Sequence, residues 1–214
     1  VLVGNKKLLV KQMKKLKYKL SLNEVIELKN AKKKLVNIIN VDYKFKKTFT
    51  NISKSSNNYI KKCFDLSLEI IKNNKSTSFI NGPVSKIHFL KKKYPGITEY
   101  ISNKTHTNKQ VMLIYNEKLS VSPITTHIPI KNVAKNITKQ KIISNVKEIN
   151  NFYMKVLKKK PNIAILGLNP HCETIDNISE EKREIIPAIK YLKKKQIKIE
   201  GPYSADTFFL KNNL

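Results

Sequence analysis

Apolar positions recur along the chain with two periods, and the period predicts the element each stretch forms. Leu8, Leu9, Met13 and Leu16 share one helical face within residues 5–17, with lysines opposite, so a helix is predicted there. Leu35–Val41 is apolar and β-branched, which predicts a strand. Residues 46–58 are polar and rich in Ser and Asn and read as a loop. Ile60, Phe64, Leu68 and Ile71 then mark an amphipathic helix over Asn57–Asn73. Thr77–Ile80 reads as a short strand running into the Asn81-Gly82-Pro83 turn.

The second half repeats the alternation. Val111–Tyr115 and Leu119–Thr125 read as two strands around a short polar turn, and Thr138–Leu157 has helical periodicity. Asn162–Leu166 predicts a buried strand that enters the loop Gly167-Leu168-Asn169-Pro170-His171. Ser179 suits a helix N-cap, and Glu180, Glu181 and Glu184 suit the positive end of the helix that follows. Pro187 predicts either a kink or a late helix start. Ile197–Ile199 predicts a last strand before Gly201-Pro202. Strands alternating with helices predict an α/β fold with a mixed sheet. No apolar run approaches the roughly 18 residues of a membrane span, and no internal repeat is visible.

Composition changes this picture little. The net charge is +28, yet Arg183 is the sole arginine among 43 basic residues. Readers of nucleic acid favour arginine for bidentate contacts. Lysine here is spread through nearly every segment beside abundant Asn and Ile, so a compositional bias is preferred over nucleic-acid binding. Cys63 and Cys172 do not form a disulfide framework, which fits a reducing, cytoplasmic compartment. Glycine is scarce, and four of the five (Gly82, Gly96, Gly167 and Gly201) fall in short turns. Such scarcity implies retention where the backbone needs it.

The glycine spacing excludes both common phosphate-cradling loops and the serine nucleophile elbow. What remains is a series of polar turns, most of them after strands: Ile80–Lys86, Pro95–Glu99, Thr125–Pro129, Gly167–His171 and Gly201–Thr207. Strand ends are where sites collect in α/β sheets. His127 and His171 each end an apolar strand and flank a proline. Imidazoles so placed suit Zn²⁺, Co²⁺ or Fe²⁺, although two loop histidines can also be ordinary surface residues. His88, placed in a helix after Lys86, and His106, in a polar surface segment, read as structural.

Those five turns, in that order, resemble the 4-hydroxythreonine-4-phosphate dehydrogenase family of vitamin B6 biosynthesis. The resemblance runs from about Gly4 to the end of the chain and is most specific over Leu119–Val133, Ile165–His171 and Gly201–Phe208. It implies an isocitrate/isopropylmalate-dehydrogenase-like α/β/α sandwich that binds NAD without a glycine fingerprint. It also implies a cytoplasmic homodimer with a site at the subunit interface, a divalent metal (Zn, Mg or Co) and no membrane partner. His127 and His171 match two of the family's three metal-ligand histidines. Thr98 matches a substrate-binding threonine, Lys86 the lysine of the first turn, where an anion contact is expected, and Asp206 an acidic residue near the active site, expected as a catalytic group that assists proton transfer or orients a ligand. The implied reaction is oxidation of 4-phosphooxy-L-threonine to the 3-oxo acid, followed by decarboxylation.

Three departures qualify the resemblance. Ile97 stands where the family has a substrate-contacting histidine. Cys172-Glu173-Thr174-Ile175-Asp176 replaces a glycine-rich segment, with Glu173 expected to supply that loop's carboxylate. The family's third metal histidine has no counterpart in this sequence. Residues 1–214 are therefore expected to be a central portion of the enzyme, its two α/β subdomains not separable by sequence. Such a piece alone is expected to be inactive and to bind metal weakly. The rivals are a dehydrogenase of another phosphorylated hydroxy acid, such as a threonate or erythronate phosphate, and a non-catalytic chain acting through its lysines.

Overall fold

The computed structural model describes residues 1–74, 78–91, 93–107, 109–172 and 178–210. The chain divides into two units, Val1–His106 and Thr107–Leu214.

In the first unit, β1 (Leu2–Gly4) and β2 (Leu22–Glu24) flank β3 (Val36–Asn40), all parallel. β3 is central and carries the buried Ile38 and Ile39, as its apolar run predicted. The intervening helix α1 (Lys6–Lys15) begins at Asn5, a residue that ties helix, sheet and neighbouring helix together. Its side-chain oxygen accepts from Leu8 N at 2.9 Å, and its amide nitrogen donates to Val41 O at 3.0 Å. Its backbone N–H donates to the Tyr59 hydroxyl at 2.8 Å. Tyr59 lies on α2 (Asn57–Asn73), whose bounds match the sequence expectation. The periodic face of α2 places Phe64 in an aromatic cluster with Leu90 and Tyr100, against which Phe79, Phe89 and Ile97 pack. Tyr100 belongs to α3 (Ile97–Lys104), which forms where the sequence pattern predicts only a turn.

In the second unit, α4 (Val133–Asn136) precedes α5 (Lys139–Phe152), which Thr138 caps by accepting from Lys141 N at 3.3 Å. A wide π-type turn, Tyr153–Leu157, extends α5 to the predicted end. β4 (Ile163–Leu166) pairs in parallel with β5 (Ile199–Tyr203). Between them a π-type turn, Glu181–Ile185, leads into α6 (Ile186–Lys194). Pro187 sits where the π-type turn gives way to α6, within a helical run that already begins near Glu180, so the helix does not start late. Ser179 caps this segment through Lys182 N, 3.3 Å from its hydroxyl. Ile142 and Val146 of α5 meet Ala188, Ile189 and Leu192 of α6, and Ile199 closes the same core. Ala188, fully buried and without a long side chain, lets the helices approach closely.

Several expectations need correction. Among the described residues the named strands all pair in parallel, where a mixed sheet was expected. The two strands expected over Val111–Tyr115 and Leu119–Thr125 reduce to an isolated antiparallel bridge between Ile114 and Val121. Both bridge residues are exposed, and no apolar face is buried to extend the ladder. Thr77 lies outside the described residues, and residues 78–80 are not a strand. Phe79 instead drops its ring onto Phe64, at 5.6 Å between centroids. His88 sits in a turn closed by Phe89 N donating to Ser85 O (2.9 Å), not in a helix. Gly82 has open space where a Cβ would be, so sterics do not require glycine there.

Candidate active site

The parallel pairing of β4 and β5 brings two loops side by side at the strands' C-terminal ends. Gly167 N donates to Tyr203 O at 2.9 Å, the last rung before the loops part. The loops are then stitched at Pro170, whose carbonyl accepts from Ala205 N at 2.7 Å and lies 2.8 Å from the Ser204 hydroxyl. Asn169 folds the first loop, its side-chain oxygen accepting from His171 N at 3.0 Å and its carbonyl from Cys172 N at 3.0 Å. Two glycines permit this approach. A Cβ on Gly201 (φ +121°) would lie 2.3 Å from Ile165 O, and one on Gly167 would lie 2.3 Å from Cys172 Sγ and 3.0 Å from Asn169 O.

The result is a side-chain pair. His171 Nδ1 lies 2.8 Å from Asp206 Oδ2, and Ser204 Oγ donates to Asp206 Oδ1 at 2.5 Å. The Ser204 hydrogen bond, followed by the His171 ring, holds the Asp206 carboxyl below its ordinary range. Asp206 is therefore ionised near neutrality and can only accept. His171 must carry its proton on Nδ1, which leaves the Nε2 lone pair free when the ring is neutral. Metal-ligating histidines are commonly oriented in this way, by a carboxylate on the remote nitrogen.

Beneath the loop lies Glu181, 3% exposed. Its Oε1 accepts from Leu168 N at 2.8 Å and Asn169 N at 2.9 Å. Burial alone would push this carboxyl up. The Asn169 N–H, the residue's own N–H, the Ser179 hydroxyl and the Leu168 N–H outweigh burial and hold it below its ordinary value. Burial pushes the neighbouring Cys172 thiol up, and its Sγ donates to Tyr203 O at 2.8 Å.

The predicted residues fall into two groups. His171 and Asp206 meet. His127 is exposed, in the left-handed region at φ 56°, and among the described residues no hydrogen bond or ion pair joins it to either. Lys86 and Thr98 both lie exposed in the first unit, Lys86 in the turn after Ser85 and Thr98 in the first turn of α3. Glu173 lies outside the described residues. Sequence reasoning missed Ser204 as the partner of Asp206, although the two-residue spacing was visible. It read Glu181 as a helix-dipole charge alone.

His171 and His127 are each of a residue type that ligates divalent cations. Among the described residues, however, no three His, Cys, Asp or Glu groups come together to hold a metal ion. Among them also, no helix is long and apolar enough to cross a membrane.

The fold and this strand-end pair define an α/β protein with parallel sheets, of the kind seen in a solved 4-hydroxythreonine-4-phosphate dehydrogenase from Klebsiella pneumoniae. That structure matches 99% of this chain and 67% of its own, with a TM-score of 0.83 at 23% identity. The chain belongs to the family described as pyridoxal phosphate biosynthetic protein PdxA, whose model matches residues 1–214. A 4-hydroxythreonine-4-phosphate dehydrogenase of Sulfurihydrogenibium sp. is 37% identical over 98% of the chain, which spans 66% of that relative's length. A Salmonella typhi protein named as a putative D-threonate 4-phosphate dehydrogenase is 28% identical over 70% of this chain and 46% of its own length.

Proposed function

We propose that this protein is a dehydrogenase of 4-phosphooxy-L-threonine, acting with NAD in pyridoxal phosphate biosynthesis. The observation that carries the reading is the His171–Asp206 pair, which presents a free imidazole nitrogen at a strand end of a PdxA-family chain. In this reading His127 and His171 hold a divalent cation (Zn, Mg or Co), Lys86 meets an anionic group, and Thr98 contacts substrate. The whole protein works as a cytoplasmic homodimer, and its layers belong to an isocitrate-dehydrogenase-like sandwich.

The bound cation would supply Lewis acidity at the substrate's C3 hydroxyl, and NAD⁺ would supply the hydride acceptor. The chain's own residues do the positioning. Asp206 retains the Nδ1 proton of His171 and so keeps Nε2 unprotonated. Ser204 keeps Asp206 ionised and turned toward the ring. The oxidised product carries its carboxylate β to the new ketone and so loses CO₂.

A second reading rests on Ile97. Its side chain packs on the Phe64–Leu90–Tyr100 cluster and offers no hydrogen bond. A substrate that needs no donor at that position, such as a threonate or erythronate phosphate, fits this chain as well. The experiment is an NADH-absorbance screen of the protein as the cell makes it, with each metal. Reduction of NAD by 4-phosphooxy-L-threonine alone supports the first reading, and reduction by the threonate or erythronate phosphates alone supports the second. No reduction by any of them sinks both.

A further inference from the structure

Charged side chains are rarely buried unless they hold something in place. Glu181 is buried, yet it forms no ion pair among the described residues. Its Oε1 is committed to two consecutive backbone N–H groups, Leu168 and Asn169, in the loop that ends in His171. Those two N–H groups come directly after the last rung, Gly167 N to Tyr203 O. Asn169 carries the tether onward, because its side chain accepts from His171 N and its carbonyl from Cys172 N. The Gly167 cleft leaves the loop little room to settle elsewhere, since a Cβ there would lie 3.3 Å from Glu181 Oε1 as well as against Cys172 Sγ.

We infer that Glu181 is a positioning residue for His171: its carboxylate fixes the Leu168–Asn169 turn and thereby the register of the imidazole against Asp206. Glu181 reaches neither His171 nor Asp206 in any hydrogen bond, so it acts through the backbone. Its relevance to catalysis rests on the reading of His171 given above, but its geometry does not.

The test therefore needs no substrate and no metal. In protein labelled with ¹⁵N, the ring-nitrogen shifts of His171 report which nitrogen carries the proton. They are read at about pH 8.5, well above the ordinary imidazole pKa of about 6.5. The wild type is expected to show the Nδ1–H form. Glu181→Ala is expected to move most of the population to the Nε2–H form, and to speed amide exchange at Leu168 and Asn169 by about ten-fold or more. Glu181→Gln keeps an acceptor oxygen but loses the charge, so it is expected to fall between the two. Ile189→Val, a core change in the same unit, is expected to lower stability without altering the tautomer. Should Glu181→Ala fail to fold, Glu181→Gln decides. A folded Glu181 variant with wild-type tautomer and wild-type exchange at both amides overturns the proposal. If the tautomer shift is seen while the wild type, as the cell makes it, oxidises none of the three substrates, the dehydrogenase reading falls and this one stands.

Discussion

Tyr59 shows how much a single residue can hold. Its hydroxyl accepts from Asn5 N, its ring stacks on Tyr43 at 4.5 Å between centroids, and burial pushes its phenol up to about 12. A raised pKa means the folded state favours the protonated phenol. The stability this contributes is fully present below pH 10 and is lost as pH rises through about 12. Phenolate absorbance should show Tyr59 titrating after the exposed tyrosines, and Tyr59→Phe should remove that last step. At Gly201 the backbone itself excludes a side chain. Gly201→Ala should cost about 2–4 kcal/mol by chemical denaturation, since it combines strain with a clash against a neighbouring strand's carbonyl. The need for glycine at Gly201 was legible as scarcity in the sequence. That Gly82 has no such need was not, because scarcity says nothing about the space around a turn.

At the scale of elements, the long amphipathic helices were legible because their apolar stripes repeat over several turns. Phe64 and Ile142 point where the period puts them. Short elements were not. α3 holds only Ile97, Tyr100 and Ile101 at helical spacing, and β1 and β2 are three residues each, too brief for a period to emerge. The strands expected around Ile114 and Val121 have the right residues but no buried face to hold them. Caps carry the remaining weight. Asn5→Ala removes the α1 cap and the donor to Val41 O together, and should cost about 2 kcal/mol in unfolding free energy. The segment leading into α6 has a pH signature through Glu181. Its folded pKa lies below its ordinary 4.5, so its contribution is present above that value and is lost as pH falls through the folded one. Wild type should therefore lose more stability than Glu181→Gln between neutral pH and about pH 3, as followed by denaturant midpoints.

For the whole molecule, the lysine excess sets a long-range field and not a fold. A net charge of +28 attracts phosphorylated substrates of either proposed type. Salt should weaken that attraction as the screening length falls from about 30 Å at 0.01 M to about 3 Å at 1 M. The KM for substrate is therefore expected to rise several-fold across that range while kcat changes little. The candidate site was half legible. His171 and Asp206 could be named from the family resemblance the turns carry, but their contact depends on the parallel pairing of β4 with β5. The Pro170 stitching and the Glu181 tether depend on burial, which no local pattern reveals.

The account stands on His171 as one of the two imidazoles proposed to hold the divalent cation at the reacting alcohol. The most direct test replaces it with alanine in the protein as the cell makes it and follows NADH formation from 4-phosphooxy-L-threonine and from the threonate and erythronate phosphates. Turnover is expected to fall by about 100-fold or more on whichever substrate the wild type oxidises, with circular dichroism unchanged. A folded His171→Ala protein that reduces NAD at the wild-type rate contradicts the account.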